Sequence, residues 1–471
     1  MVYTESMAVA EKRMREHSVG VSVVGIGTIG LPTAIHIAHA GFPTIGIDVN
    51  RERVKKLNGN VLESEYPQML RPLVSSGTIK ATTDFSEAIP HSKIIVVCVP
   101  TPVGDDREIN LSFLQRAARE LAPHLTKGSL VVLESSITIG TTRSFGKLIE
   151  EKSGLRIGSD WGLAYCPERY NPGLPTETHA HVIYDKKTSA LMMTLDQIPR
   201  VVGGVDEKSL KLARLFYSEF ILAGVTPVAD IETAEASKLM ENIFRDVNIA
   251  LVNEFAVIFS KLGLDTYDVI QAAETKPFAF LPHFPGLVGG ECIPVDTWYL
   301  IKQAEKMGVD TKMMRVTREV NDGVADYFVS LLQKAFEERN VPINESKVCI
   351  MGIAYKKNIP DARVSLSNTI AQKVRNLGVQ VVLCDPVIRQ ATGQTTDIRV
   401  DGCLDTEIRQ SDAVILATDH DIFRSISLAD LKRVMRTPIL LDARNFYDQR
   451  EAIAAGFYYR GLGKPENPRS L

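Results

Sequence analysis

Gly25, Gly27 and Gly30 form a G-x-G-x-x-G pattern that follows an apolar run and opens a helical one. The first glycine of such a turn permits the bend and the second lets a pyrophosphate approach the backbone. The third, next to Ile29, lets strand and helix pack closely, while the helix N-terminus supplies positive potential for phosphates. Asp48 ends the next strand pattern, where an acid accepts from a ribose diol and repels a 2′-phosphate. That favours NAD over NADP, although Arg51 and Arg53 nearby are the residue type that accommodates a 2′-phosphate. FAD uses the same fingerprint, and a tight strand-to-helix turn with no ligand reads the same way.

A nucleophile candidate, Cys292, lies in GGECIPVD (289–296). Gly289 and Gly290 make a permissive loop and Pro294 suits the first turn of a helix. A thiol at a helix start feels the helix dipole, which raises its thiolate fraction. Asp296, four residues on, is placed to orient a water or move protons if the helix begins that early. A buried structural cysteine beside a helix acid carries the same residues. In EASKLMEN (235–242), Lys238 and Asn242 sit one helical turn apart, a spacing suited to stabilising an oxyanion and equally to a solvated helix face. Glu168 and Arg169 fall in YCPERYNPG (165–173), a Pro/Gly-bounded loop after a strand. Active sites of α/β folds sit in such loops, and a turn with exposed charges looks alike.

These residues need elements to hold them. Strand patterns at 21–27, 44–49, 93–99 and 129–135, with helical stretches at 31–40 and 111–122, predict a doubly wound parallel sheet. Helical periodicity dominates 233–262 and 313–337, broken by the Gly/Pro-rich segment 276–296. After Pro342 the α/β pattern returns, with strands at 347–355, 379–385, 412–418 and 438–443 and a helix over 366–377. The fold class expected is α/β, with two Rossmann-like parallel-sheet domains (20–209 and 331–465) joined by a central helical domain (210–330). Mobile ends are expected at 1–19 and 466–471, and an extended surface insertion at 174–199.

Composition excludes several functions. Fifty-four Lys+Arg against 57 Asp+Glu give a formal charge of −3, too little basic excess for a general nucleic-acid coat. No run approaches the ~18 apolar residues of a membrane span, and the first residues have no apolar signal core. The cysteines at 98, 166, 292, 349, 384 and 403 form no CxxC pair, so neither a zinc cluster nor a disulfide framework is expected. Reduced thiols, no metal and a cytoplasmic setting are the expectation.

Seven segments in order, GIGTIGLP (25–32), CVPTP (98–102), ESSITIGTT (134–142), CPERYNPG (166–173), EASKLMEN (235–242), GGECIPVD (289–296) and GIAYKKNIPDAR (352–363), resemble the UDP-glucose/GDP-mannose dehydrogenase family. The resemblance spans roughly residues 20–465. It implies that NAD, used twice, oxidises the C6 alcohol of a nucleotide sugar to a carboxylate through a cysteine thiohemiacetal and thioester. By position, Cys292 matches the nucleophile, Lys238 with Asn242 the oxyanion stabiliser, Asp296 the base acting with a water, and Glu168 the residue that moves protons in thioester hydrolysis. Ser136 stands where relatives often carry threonine, so the resemblance places its hydroxyl in the catalytic set as well. Ile29, Arg53, Thr101, Ser136 and Arg363 join the cofactor side. Arg169, Gly289, Gly290, Lys356 and Arg444 join Glu168, Lys238 and Asn242 on the UDP-sugar side. The resemblance further implies a homodimer, or a multiple of it, built on the central helices.

The CPER-x-x-P-G loop resembles the branch acting on UDP-N-acetylhexosamines, since UDP-glucose enzymes usually carry a second acid near the place of Pro172. Glu291 departs from the histidine common in that branch, and Thr297 from a usual proline. A carboxylate beside the thiol disfavours the thiolate. Either Lys238 offsets it, or Glu291 turns toward a substrate hydroxyl or a cation. A UDP-glucose 6-dehydrogenase is the nearest alternative. A two-electron β-hydroxyacid dehydrogenase needs neither Cys292 nor a second α/β domain, and a non-catalytic sensor has no use for the combined set.

Overall fold

The computed structural model describes residues 2–62, 64, 66–104, 106–169, 183–185, 190–192, 194–388, 390–391, 394–395 and 403–466. Two compact units emerge: Met1–Ile183, Leu191–Glu241 and Trp298–Lys306 form the first, and Tyr184–Ala190, Asn242–Thr297 and Met307–Leu471 the second. The helix Ile231–Lys261 therefore contributes residues to both.

In the first unit, short β-branched runs become β1 (Val21–Val24), β2 (Thr44–Ile47), β3 (Ile79–Thr82), β4 (Ile94–Val97), β5 (Leu130–Leu133) and β6 (Gly162–Tyr165). A separate two-stranded pair, β7 (Ile183–Asp185) and β8 (Ala190–Met192), divided between the two units, is the described strand structure within 174–199, most of which lies outside the described residues. With β9 (Arg200–Gly204) and β10 (Val225–Pro227), the main sheet runs β10-β9-β6-β5-β4-β1-β2-β3. Every neighbouring pair is parallel except β6 with β9, where Ala164 faces Gly204 in antiparallel register. Alternate residues serve opposite cores: Val21 and Val23 pack on one face of β1 and Val24 on the other. Burial on both faces explains why these strands read as unbroken apolar runs. β1 lies between β2 and β4, so its C-terminal end is the switch point where doubly wound sheets bind ligands.

The second unit carries a five-stranded parallel sheet, β12-β11-β15-β16-β17. Its strands are β11 (Lys347–Met351), β12 (Gln380–Cys384), β15 (Ala413–Leu416), β16 (Ile439–Asp442) and β17 (Tyr458–Gly461), with a separate β13 (Gln390–Ala391) and β14 (Gln394–Thr395) hairpin. The helices Lys312–Glu338 and Leu366–Asn376 cover one face, burying Phe328, Leu332 and Ile370 against Val348 and Ile350.

Three expectations need correction. The N-terminus is not a mobile tail: Val2 and Tyr3 are buried, the Tyr3 amide donates to Gly128 O (2.7 Å), and its hydroxyl donates to Asp206 (2.6 Å). Tyr3, Met7, Ala10 and Met14 form an apolar stripe at helical spacing, and the helix Met7–Arg15 packs on Glu207–Ser218. At the other end, the Glu466 amide donates to Ser260 O (3.2 Å) and its carboxylate pairs with Lys334, while residues 467–471 lie outside the described set. Thirdly, Cys384 and Cys403 form a disulfide, where free thiols were expected. The fold returns residue 403 to the end of β12 across a separation of 19 residues, a juxtaposition that linear spacing cannot display. Among the described residues no helix is long and apolar enough to cross a membrane.

Candidate active site

The glycine fingerprint divides its labour as its spacing predicts. Gly25 has φ +87°, and a Cβ there would lie 2.7 Å from Cys98 O. At Gly30 a Cβ would fall 1.8 Å from Gly25 O. Those two glycines are required by the turn itself. A Cβ at Gly27 would meet nothing within 4 Å, which leaves that side open for a ligand's phosphates. Ile29 precedes the helix Gly30–His39 and supplies no side-chain cap, so the positive end of that helix follows the glycine turn directly. Asp48 is buried after β2, where its carboxylate accepts from Ile26 N (3.1 Å) and Asn50 N (2.8 Å). Arg53 donates to the same carboxylate at 2.9 Å, which ties the nearest arginine to the acid. Further along the sheet, Thr101 donates to the main-chain oxygen of half-buried Ser136 (2.6 Å). These features suit a dinucleotide with a free ribose diol.

The CPER loop is held from several sides within the first unit. Glu168 is only 6% exposed, and Arg200, at the start of β9, donates to its carboxylate (3.3 Å) and to Pro167 O (3.0 Å). Lys238 donates through Nζ to the main-chain oxygen of Glu168, and Arg169 binds Pro199 O and the Glu241 carboxylate. Behind the loop, buried Glu134 accepts from Tyr217 (2.6 Å), Thr33 (3.3 Å) and the Cys98 thiol (3.4 Å). Burial raises the Glu134 carboxyl above its ordinary range, and the Arg200 charge works against that rise. Burial opposes the Arg200 charge in turn, but Glu168 and Glu134 overcome it and leave the guanidinium firmly protonated.

The helix Ile231–Lys261 carries its polar residues inward. Glu235, Lys238, Asn242, Asp246 and Asn253 are all buried along one face, so the solvated-face reading of Lys238 and Asn242 does not hold. In the second unit Asn242 donates to Asp296 at 2.6 Å, and Asp296 is fully buried. The Asp296 amide donates to Cys292 O (3.1 Å), which places the thiol at the N-terminal edge of the helix Ile293–Lys306. Cys292 is exposed and outside any disulfide. Thr297 donates to Asp246 (2.8 Å). That carboxylate also receives Arg318 (2.6 Å) and Asn321 (2.7 Å), so a buried polar network backs the turn that carries Asp296. Burial raises the Asp246 carboxyl while Arg318 and these hydrogen bonds oppose the rise.

Glu291 takes the cation among its expected options: Arg363 donates to its carboxylate at 2.9 Å. Arg363, placed on the cofactor side from sequence, thus lies beside the thiol loop and is also held by Asp361. Gly289 and Gly290 abut Tyr355 of the 352–363 segment, and a Cβ on Gly290 (φ +85°) would come 2.7 Å from the ring. Half-buried Lys356 follows β11, and Arg444 follows β16, where its side chain donates to Ala417 O (2.8 Å). Both therefore stand at the carboxyl end of the second parallel sheet, where ligands of such sheets bind. No group of three or more His, Cys, Asp or Glu side chains fit to hold a metal occurs among the described residues.

Sequence reasoning missed Arg200, Tyr355 and the pair Asp246–Arg318. A charge opening the apolar run RVVGG and acids recurring on a helix with Lys238 and Asn242 were the available signals.

Comparison with known proteins joins both units to one family. Models described as the UDP-glucose/GDP-mannose dehydrogenase family's NAD binding domain, central domain and UDP binding domain match residues 19–221, 232–323 and 349–449. The chain is 35% identical over 449 residues to UDP-N-acetyl-D-mannosamine dehydrogenase of Pyrococcus horikoshii, covering 94% of this chain and 99% of that protein. It is 31% identical over 431 residues to UDP-N-acetyl-D-glucosamine 6-dehydrogenase of Pseudomonas aeruginosa, covering 91% of this chain and 97% of the relative. The solved UDP-D-ManNAc dehydrogenase structure from Pyrococcus horikoshii superposes with a TM-score of 0.82 at 33% identity, covering 95% of this chain and all of that one.

Proposed function

The chain belongs to the UDP-glucose/GDP-mannose dehydrogenase family, and from that premise we propose that it oxidises a UDP-N-acetylhexosamine at C6 to the uronate. It is an NAD-dependent nucleotide-sugar dehydrogenase. The observation that carries the finer reading is the exposed Cys292 at a helix start, with Asp296 buried one turn on and held by Asn242. Residues 20–209 take the cofactor in this reading, 331–465 the nucleotide sugar, and 210–330 the self-contact between chains.

When bound, NAD accepts the hydride from C6 in each of the two oxidations. Asp296, acting with a water, takes the C6 hydroxyl proton, and Lys238 and Asn242 stabilise the developing alkoxide. The Cys292 sulfur then adds to the aldehyde carbon to give a thiohemiacetal, whose oxidation leaves a thioester. A water oxygen bonds to the thioester carbon, the carbon–sulfur bond breaks with its electron pair on sulfur, and Glu168 takes the water proton. Lys356 and Arg444 bind the nucleotide-sugar diphosphate. A cytoplasmic setting suits these reactants; the Cys384–Cys403 disulfide is the feature at odds with a reducing compartment.

The test is NADH formed per sugar consumed, across UDP-glucose and the UDP-N-acetyl forms of glucosamine, galactosamine and mannosamine. Two NADH with an N-acetylated sugar is the expected result. One NADH per sugar overturns the thioester route, and a preference for UDP-glucose overturns the branch.

The partner in this reading is a second copy. Phe244, Leu251, Phe255 and Ile258 recur on one narrow stripe of the 231–261 helix and stay exposed. A self-complementary apolar stripe suits a two-fold contact, in which each residue meets its own equivalent or near neighbour. Light scattering should give at least a dimer for the native chain and a smaller species for Phe255→Glu. A monomeric native chain contradicts the assignment.

A further inference from the structure

The segment that carries Cys292 is docked on the 352–365 segment of the same unit. The Gly290 amide donates to Val364 O (3.0 Å), Val364 O fills the space a side chain at 289 would need and the Tyr355 ring that at 290, and Arg363 reaches Glu291. Asp361 grips the Arg363 guanidinium from its other side, through Nη2 (2.7 Å) and Nε (3.0 Å). Around the Tyr355 phenol stand the Cys292 thiol, the carboxylates of Glu291 and Asp361 and the guanidinium of Arg363, with Asp296 one helical turn on from Cys292.

We propose that Arg363 is the counter-charge that keeps Cys292 nucleophilic beside Glu291, the two forming a positioning pair that couples the thiol loop to the 352–365 segment. The inference deepens the proposed function, since it rests on Cys292 being the nucleophile. A carboxylate next in sequence to a thiol repels the thiolate, and a guanidinium on that carboxylate cancels most of its field. Glu291 itself depends on Arg363: burial pushes its carboxyl upward, the arginine opposes this, and Asp361 adds to the rise. Arg363 is 57% exposed and Glu291 36%, so the field is partly screened and its effect modest. One unit charge ~7 Å away in a near-aqueous medium changes a thiolate population about threefold.

The experiment measures iodoacetamide alkylation of Cys292 by peptide mass in the full chain at neutral pH, with Cys292→Ser as the blank. Arg363→Gln should react about threefold more slowly, Glu291→Gln about threefold faster, and the double variant near the native rate. Arg363→Lys keeps the charge and should stay near native, and all differences should shrink in 1 M salt. An unchanged Arg363→Gln, a shift of the same sign in both single variants, or effects indifferent to salt would overturn the proposal. The assay contains neither sugar nor cofactor. It therefore reads the charge pair independently of the proposed function, which fails separately if Cys292→Ser still produces uronate at the native rate.

Discussion

Cys292→Ala should lower NAD-dependent uronate formation by about 10³-fold or more, the scale on which loss of a covalent nucleophile acts. The fold should not register the change. The side chain is exposed, and what the turn takes from residue 292 is its main-chain oxygen, which accepts from the Asp296 amide. Asn242 still holds Asp296, and Gly290 still holds Val364 O, because neither contact involves sulfur. The first oxidation draws on Asp296, Lys238 and Asn242 rather than on the thiol, so one NADH should form slowly and an aldehyde-trapping hydrazine should capture the product. Intact-mass spectrometry of the native enzyme during turnover should find a sugar adduct that the variant lacks. Full-rate formation of two NADH by Cys292→Ala sinks the thioester route and leaves a direct oxidation of the hydrated aldehyde in its place.

The parts of this site readable from sequence are those that the backbone dictates locally. Gly25 and Gly30 leave no room for a Cβ, so their pattern is a statement about geometry that any G-x-G-x-x-G strand–helix turn repeats. Lys238 and Asn242 were readable as sharing a face, yet whether that face is wet or buried depends on what packs over it. A polar stripe looks alike in both cases until Glu168 O and Asp296 are seen to receive it. The N-terminal segment is hard to read for a related reason: its stripe of Tyr3, Met7, Ala10 and Met14 is short, and only the docking on Glu207–Ser218 makes it structural. Cys384 and Cys403 meet because β12 and the chain returning to it converge, which no local pattern encodes. Glu291 lies between these cases. Its charge posed a problem that the sequence could state, with a cation as one of its named solutions, but the partner lies 72 residues away at Arg363.

Arg200→Met should cost about 3–5 kcal/mol, the penalty for removing one member of a buried ion pair. The guanidinium is 1% exposed and the Glu168 carboxylate 8%, so neither charge can turn to water when its partner goes. Glu134 adds to the burden, because the same arginine opposes the rise that burial forces on its carboxyl. Loss of Arg200 also frees Pro167 O, and the CPER loop then hangs on Lys238 and on the contacts of Arg169. A pair placed this deep is poor value for stability alone, since apolar residues of similar volume are often as good. Its use is to hold the carboxylate in one orientation. Arg200→Met combined with Glu168→Gln removes both charges and should recover part of the lost stability in urea denaturation followed by tryptophan fluorescence. Its uronate formation should stay low, because the group assigned to thioester hydrolysis is gone. Equal stability of Arg200→Met and the native chain would mean that the loop is held by Lys238 and Arg169 without the buried pair.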